Sequence, residues 1–293
     1  MRCFENFHPI VLFIYFFCVI LFAMFTMNPV LVAICYISGI FFCGMLTGIK
    51  KLLQSLAYSI PVMLLIAVTN PIFVHKGETI LFFLNDNPVT MEAIIYGAVV
   101  SAMLMSVFYW FKCYNAVMTS DKFVYLFGRI IPKLSLVLSM VLGFIPKFKR
   151  HFREIDQAQK ALGIYASKSY VDKIRIKFRV LSILITLSLE NSVETADSMR
   201  ARGYGLKGRS SYSVFKWTVS DTVFLTAALF AAGIVLALVA AGFSGFYYYP
   251  VMSVPGFRVA DVILYSALAV LTFAAAILEI KENILWRYLR SKI

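Results

Sequence analysis

Six stretches of the chain are almost uninterrupted runs of apolar residues: 10–27, 30–49, 56–74, 93–111, 222–242 and 260–280. Crossing the hydrocarbon core of a bilayer takes about 20 such residues. Inside lipid each segment must satisfy its own backbone hydrogen bonds, so each stretch predicts a transmembrane helix. The alternation of a transmembrane β-barrel is absent. Asn28-Pro29 turns the first run straight into the second, and no small-x-small cleavage site follows the first. The pair therefore reads as a retained helical hairpin and not as a signal peptide. A shorter apolar run, residues 134–146, has the length of a core or interfacial helix and is expected not to cross but to pack under the bundle.

Between the fourth and fifth runs the pattern changes to polar helices with one apolar stripe each. In the first, from about residue 147 to 162, Phe148, Phe152, Ile155, Ala158 and Leu162 recur at three- and four-residue spacing. Gly163 then sits where a helix-ending glycine is expected. The second runs from about residue 172 to 202. Ile185, Leu189, Val193, Ala196 and Met199 form one stripe, Glu190, Glu194 and Asp197 another, and Gly203 follows the end. The two helix ends repeat faintly at an offset of 40 residues: Glu154 matches Glu194, Lys160 matches Arg200, Ala161 matches Ala201, and Gly163 matches Gly203. Leu162 stands where the second copy has Arg202.

Composition and charge sharpen this into a topology. With 61% apolar residues and a mean hydropathy of +0.82, the 293-residue chain is an integral membrane protein. Its net charge is +13, and residues 112–216 hold 19 Lys/Arg against 7 Asp/Glu, while the remainder holds 9 against 8. Basic connections stay in the cytoplasm, which puts that segment, Lys50-Lys51, the N-terminus and the tail with Lys281, Arg287, Arg290 and Lys292 inside. The loop carrying Glu78, Asp86 and Glu92 and the loop around Tyr247-Tyr248-Tyr249 then fall outside. Trp110, Trp217 and Trp286 are expected at the cytoplasmic interface, where an amphipathic ring is favoured. The predicted architecture is an all-α polytopic membrane protein. Residues 1–111 form four spans, 112–217 a cytoplasmic domain of two long amphipathic helices, and 218–293 two further spans with a tail. The basic charges are interspersed with acidic ones and tethered to a membrane, so anionic lipid headgroups rather than nucleic acid are the expected electrostatic partner.

Catalytic signatures are missing. No G-x-x-x-x-G-K-[ST] loop occurs, so the chain is not expected to hydrolyse ATP by itself. Cys3, Cys18, Cys35, Cys43 and Cys113 make no CxxC pair and read as packing residues. His8, His75 and His151 are far apart and read as interfacial or solvated. The Glu190 stripe lacks a Glu-x-x-His companion, so it reads as solvated or partner-facing. No cofactor or metal is expected. Ionisable residues are scarce inside the six runs, which argues against a proton or substrate relay.

Chemistry of another kind sits at the helix ends. An arginine flanked by Ala and Gly can insert deeply, because the small residues let a partner backbone approach while the guanidinium fork meets a carboxylate at two points. Arg200, Ala201, Arg202 and Gly203, with Lys160, Ala161, Leu162 and Gly163, are the candidate partner-binding residues. Both runs, Ala196-Asp197-Ser198-Met199-Arg200-Ala201-Arg202-Gly203-Tyr204 (with Gly205 beyond) and Ala158-Gln159-Lys160-Ala161-Leu162-Gly163, resemble the coupling-helix ends of the transmembrane T component of energy-coupling-factor transporters, a family that includes CbiQ-type proteins. His8-Pro9, Asn28-Pro29, Asn70-Pro71, Gly77-Glu78-Thr79, Asp121-Lys122, Pro132 and Phe144-Ile145-Pro146 extend the likeness along the chain.

The resemblance implies a non-catalytic subunit in the cell membrane. It implies docking on two ABC-type ATPases and a partnership with a substrate-binding S component, so that ATP-driven movement releases a vitamin or metal ion inside. The first motif lacks its arginine, so docking is expected to be unequal, with Arg202 dominant. The alternative is a stand-alone permease or membrane enzyme with a lipid-binding or regulatory cytoplasmic module.

Overall fold

The computed structural model describes residues 4–84, 87–128, 131–163, 170–204, 206, 215–254 and 256–290. Cys3, Asp86, Gly205 and Lys292, named above, lie outside these, as does the Arg287 side chain. The chain divides into two compact units, one of residues 1–119 with 215–293 and one of residues 120–214.

The first unit carries a helix on each of the six apolar runs: α1 (Pro9–Phe25), α2 (Pro29–Thr47), α3 (Ile49–Phe73), α4 (Met91–Val117), α8 (Val219–Ala240) and α9 (Val259–Arg290). Five are long and apolar enough to cross a membrane, while α1 is a shorter apolar helix. At 17 residues α1 spans about 26 Å, close to the hydrocarbon thickness of about 30 Å. α3 starts at Ile49, α4 continues to Val117 and α9 to Arg290, all beyond the apolar runs. Apolar composition marks where lipid contact stops, whereas helical hydrogen bonding continues into polar sequence. A two-stranded antiparallel hairpin, β1 (Ile80–Leu84) and β2 (Asn87–Thr90), joins α3 to α4.

Local chemistry sets the helix starts. His8 and Asn28 each precede a proline at the first helical position and accept the backbone N–H two residues on, at 3.3 and 3.1 Å. Thr218 and Asp221 form a reciprocal capping box at α8. Of the two settings expected for it, interfacial or solvated, His8 is not solvated: it is a buried cap beside Trp217, with the rings tilted and their centroids 4.8 Å apart. His75 and His151 are partly exposed, and His151 Nδ1 lies 3.1 Å from Glu154 Oε2.

α4 packs on α1, α2 and α3, and α9 packs on α2 and α8. Their shared core is aromatic: Phe4, Tyr15, Phe16, Phe42 and Trp110 are fully buried and meet mostly edge to face. Tyr15 donates its hydroxyl to the Leu271 carbonyl at 3.0 Å. The described cysteines Cys35, Cys43 and Cys113 are buried and Cys18 is half-buried, as packing residues should be.

Trp110 departs from the expectation. It is no interfacial anchor but a core residue: its indole N–H donates to the Cys35 carbonyl at 3.0 Å, and its ring lies against Gly39. A side chain at position 39 would begin 3.1 Å from the indole nitrogen, so the glycine makes room for the ring. Trp110→Ala is expected to cost about 3–5 kcal/mol and to lower the thermal unfolding midpoint of the detergent-purified chain. An unchanged midpoint would remove Trp110 from the core.

The second unit contains α5 (Ser120–Gly128), α6 (Pro132–Ala161) and α7 (Tyr170–Ala201). Residues 134–146 are not a separate helix; they are the first half of α6, which runs unbroken through Pro146 into the polar segment. Proline removes its own N–H bond and crowds the preceding turn, yet helical bonding continues on both sides of Pro146. Gly128 lets α5 approach α6 closely: a side chain there would begin 2.6 Å from Ser135 Oγ, which instead donates to the Val124 carbonyl at 3.2 Å.

Candidate functional site

α6 and α7 pack together, and both end in the same way. At the end of α6, Leu162 N–H returns to the Ala158 carbonyl and Gly163 N–H to the Lys160 carbonyl at 3.0 Å. At the end of α7, Arg202 N–H returns to the Ser198 carbonyl, Gly203 N–H to the Arg200 carbonyl at 3.0 Å, and Tyr204 N–H to the Met199 carbonyl at 3.0 Å. The last two bonds define a Schellman closure. Gly163 and Gly203 adopt φ of +72° and +75°, the left-handed region that glycine enters without penalty. Among the described residues nothing crowds Gly163 and only the end of Leu206 approaches Gly203, so the left-handed conformation itself calls for the glycine. Gly203→Val is expected to open this closure and to increase proteolytic cleavage after Arg202, with the core of the membrane unit unaffected.

The residues on these turns are exposed: Lys160, Ala161, Leu162 and Gly163 on α6, and Arg200, Ala201 and Arg202 on α7, with Gly203 half-buried beside them. The cations lie where the carbonyls of the last turn carry partial negative charge. The two ends differ in how that charge is held. Lys160 Nζ sits 2.7 Å from Asp156 Oδ2 within its own helix. Among the described residues, no ion pair engages Arg200 or Arg202. Leu162, at the position matching Arg202, is 72% exposed, a large apolar side chain on an open turn.

The faces of α7 are sorted unexpectedly. Ile176 and Val180 are buried, and Leu184, Ser188, Thr195 and Met199 continue that side as half-buried residues. Ser188, Asn191 and Thr195 line a cavity of about 260 Å³ with Phe144, Lys147 and His151 of α6. The more apolar stripe is left outside: Ile185, Leu189 and Val193 are 51%, 64% and 62% exposed. Glu190 and Asp197 are exposed as well, while Glu194, also exposed, stands at the edge of the α6–α7 cavity and lines it. The inward polar stripe is readable as Ser188-Asn191-Thr195 at three- and four-residue spacing, but it is weaker than the apolar stripe beside it.

Several other motif residues serve the fold. Asn70 donates Nδ2 to the Ala93 carbonyl at 2.7 Å, tying α3 to α4. Thr79 donates both its N–H, at 3.3 Å, and its hydroxyl, at 2.8 Å, to the buried Glu92 carboxylate, which anchors the hairpin. Lys122 is buried within α5. Tyr248, in the loop before α9, is buried and donates its hydroxyl to the Met27 carbonyl at 2.6 Å, and burial pushes its pKa up to about 12.

These features define a multi-pass membrane protein of helices, carrying a polar helical unit whose two long helices end in matched, cation-bearing turns. The family model for CbiQ, described as cobalt transport protein, matches residues 6–214, and the chain belongs to that family. Relatives include the energy-coupling factor transporter transmembrane protein EcfT of Listeria innocua, 32% identical over 110 residues that make up 37% of this chain and 42% of the relative. The protein of the same name from Bacillus selenitireducens is 35% identical over 107 residues, 36% of this chain and 40% of its own length. That from Bacillus subtilis is 29% identical over 110 residues, 37% and 42% of the two chains. The matched segments thus span about two fifths of these curated relatives.

Proposed function

We propose that this chain is the transmembrane energy-coupling subunit of an ECF-type importer. It sits in the cell membrane with both termini and the α5–α7 unit on the cytoplasmic side. The ends of α6 and α7 dock on two ABC-type ATPases, and a substrate-binding S component supplies the specificity for a vitamin or metal ion. The chain itself carries out no catalysis. Family membership and the names of the relatives support this reading.

The observation that carries it is the pair of matched, exposed helix ends, 40 residues apart in sequence, each closed by a glycine in the left-handed conformation. Two turns of similar backbone form on adjoining helices suit two sockets of similar shape. At the α7 end, Arg202 presents a guanidinium with no ion pair among the described residues, between Ala201 and Gly203. At the α6 end, Leu162 presents an apolar knob while Lys160 stays with Asp156, so that socket is engaged by shape more than by charge. The test is co-purification of the tagged chain with its ATPases, alongside substrate uptake by cells. Uptake by the purified chain alone in liposomes would instead establish the stand-alone permease.

A further inference from the structure

The membrane unit holds a cleft of about 530 Å³ on the α3–α4 pair that the docking function does not use. Lys51, Gln54 and Lys112 line it, and so do the apolar Val62, Met105 and Phe108. The two helices run antiparallel. A side chain on Gly97 of α4 would begin 2.5 Å from the Ala67 carbonyl of α3, and Ser59 Oγ lies 2.7 Å from Tyr109 Oη. In that register Lys51, near the start of α3, stands level with Lys112, near the end of α4. Both ammonium groups therefore occupy one end of the cleft. Val62 lies 11 residues further along α3 than Lys51, about 16 Å at 1.5 Å per residue. That distance is about the thickness of one leaflet's hydrocarbon, half of roughly 30 Å.

Neither lysine has an ion-pair partner among the described residues. Lys112 is half-buried, so its charge is partly withdrawn from water without a counter-charge. α3 has little of its surface covered: of its 25 residues only Ser59 and Pro71 are buried, and Tyr58 at the mouth of the cleft is 72% exposed.

From this geometry we infer that the cleft binds an anionic phospholipid, its phosphate between Lys51 and Lys112 and an acyl chain along Val62, Met105 and Phe108. Each part of the site needs a different part of that ligand. Two unpaired cations at a span end call for a phosphodiester without a compensating positive charge, which disfavours a zwitterionic headgroup. The apolar wall calls for hydrocarbon, which a soluble phosphate lacks. Long lysine stems can reach the headgroup level while lying along the helix surface. The site would hold one leaflet's lipid against the α3–α4 pair and fix the depth of these helices in the membrane.

The test uses the full chain purified in detergent, so it is independent of whether ATPases dock. Phosphatidylglycerol, phosphatidylcholine and inorganic phosphate are titrated separately, and bound lipid is read by native mass spectrometry. The expected result is selective retention of phosphatidylglycerol. Each lysine near an anionic headgroup contributes a factor of about five, so the double variant Lys51→Gln/Lys112→Gln should bind it about 30-fold more weakly. The Lys51→Arg/Lys112→Arg variant should retain binding, and a monodisperse gel-filtration profile checks that both variants are folded. Unchanged phosphatidylglycerol binding by the Gln variant overturns the site, as does equal binding of phosphatidylcholine by the wild type. Displacement of the lipid by millimolar inorganic phosphate assigns the two lysines to a soluble anion and overturns the lipid.

Discussion

Arg202→Glu is expected to abolish co-purification of the chain with its ATPases and to stop uptake, while leaving the chain folded in the membrane. Folding is spared because Arg202 contributes little to it. Its side chain is exposed, it has no ion pair among the described residues, and its backbone N–H bond to Ser198 does not depend on the side chain. In the proposed docking the guanidinium would be seated against a carboxylate in a socket as a buried charge pair, so docking should be lost. Truncating one member of such a pair costs about 2–5 kcal/mol, or roughly 30- to 3,000-fold in affinity, and reversing its sign adds repulsion. The corresponding change at the other helix, Lys160→Glu, is expected to weaken assembly by less than about ten-fold. Lys160 already commits its charge to Asp156 in an exposed pair of the kind that contributes under about 1 kcal/mol. The ordering of the two variants is the sharp part of the prediction. Equal losses would mean that both sockets read charge, and retention of the ATPases by Arg202→Glu would refute docking through this helix end.

Part of that ordering is legible in the sequence. Leu162 in place of an arginine is plain there, and Asp156 four residues before Lys160 has the spacing of an intrahelical ion pair. The helix ends themselves are legible because a glycine past a run of helix formers has one dominant use, the left-handed turn that both Gly163 and Gly203 adopt. The six apolar helices are legible because lipid leaves the backbone no other option across such runs.

The differences between expectation and fold share a cause: they concern what an element packs against, which periodicity alone does not specify. Ring chemistry and a place near the end of an apolar run point Trp110 to an interface, yet Gly39 on another helix provides space for it in the core. A lone histidine before an apolar run reads as interfacial or solvated, and the sequence alone does not show that the His8 ring, buried, caps the helix that the following proline starts. Composition turns polar at Pro146 and suggests a break, whereas the helix loses a single bond and continues. The β1–β2 hairpin reads from sequence only as a loop. It depends on Glu92 meeting Thr79 across the connection, a pairing that neither residue signals alone.

The outward stripe of α7 supplies the second large effect: Leu189→Asp is expected to release the S component without releasing the ATPases. Ile185, Leu189 and Val193 lie on successive turns of α7 and are each at least half exposed, while the side of α7 that packs on α6 carries Ser188 and Thr195. In this half of α7 an apolar stripe is left outside although the inner side carries polar residues, and contiguous exposed apolar surface of this kind marks an interaction site. An aspartate at position 189 would have to be buried unpaired in that interface, at a cost on the order of 3 kcal/mol and about 100-fold in affinity. Within the chain itself the change is mild. Leu and Asp differ by only about 0.5 kcal/mol in helix propensity, and the side chain would point to water. The membrane anchoring of the chain rests on the six apolar helices, so loss of α7 adsorption to a lipid surface would not detach it. Co-purification separates the possibilities: loss of the S component with ATPases retained locates the contact on this stripe, loss of both points to disruption of α7, and retention of both shows that the stripe faces lipid instead.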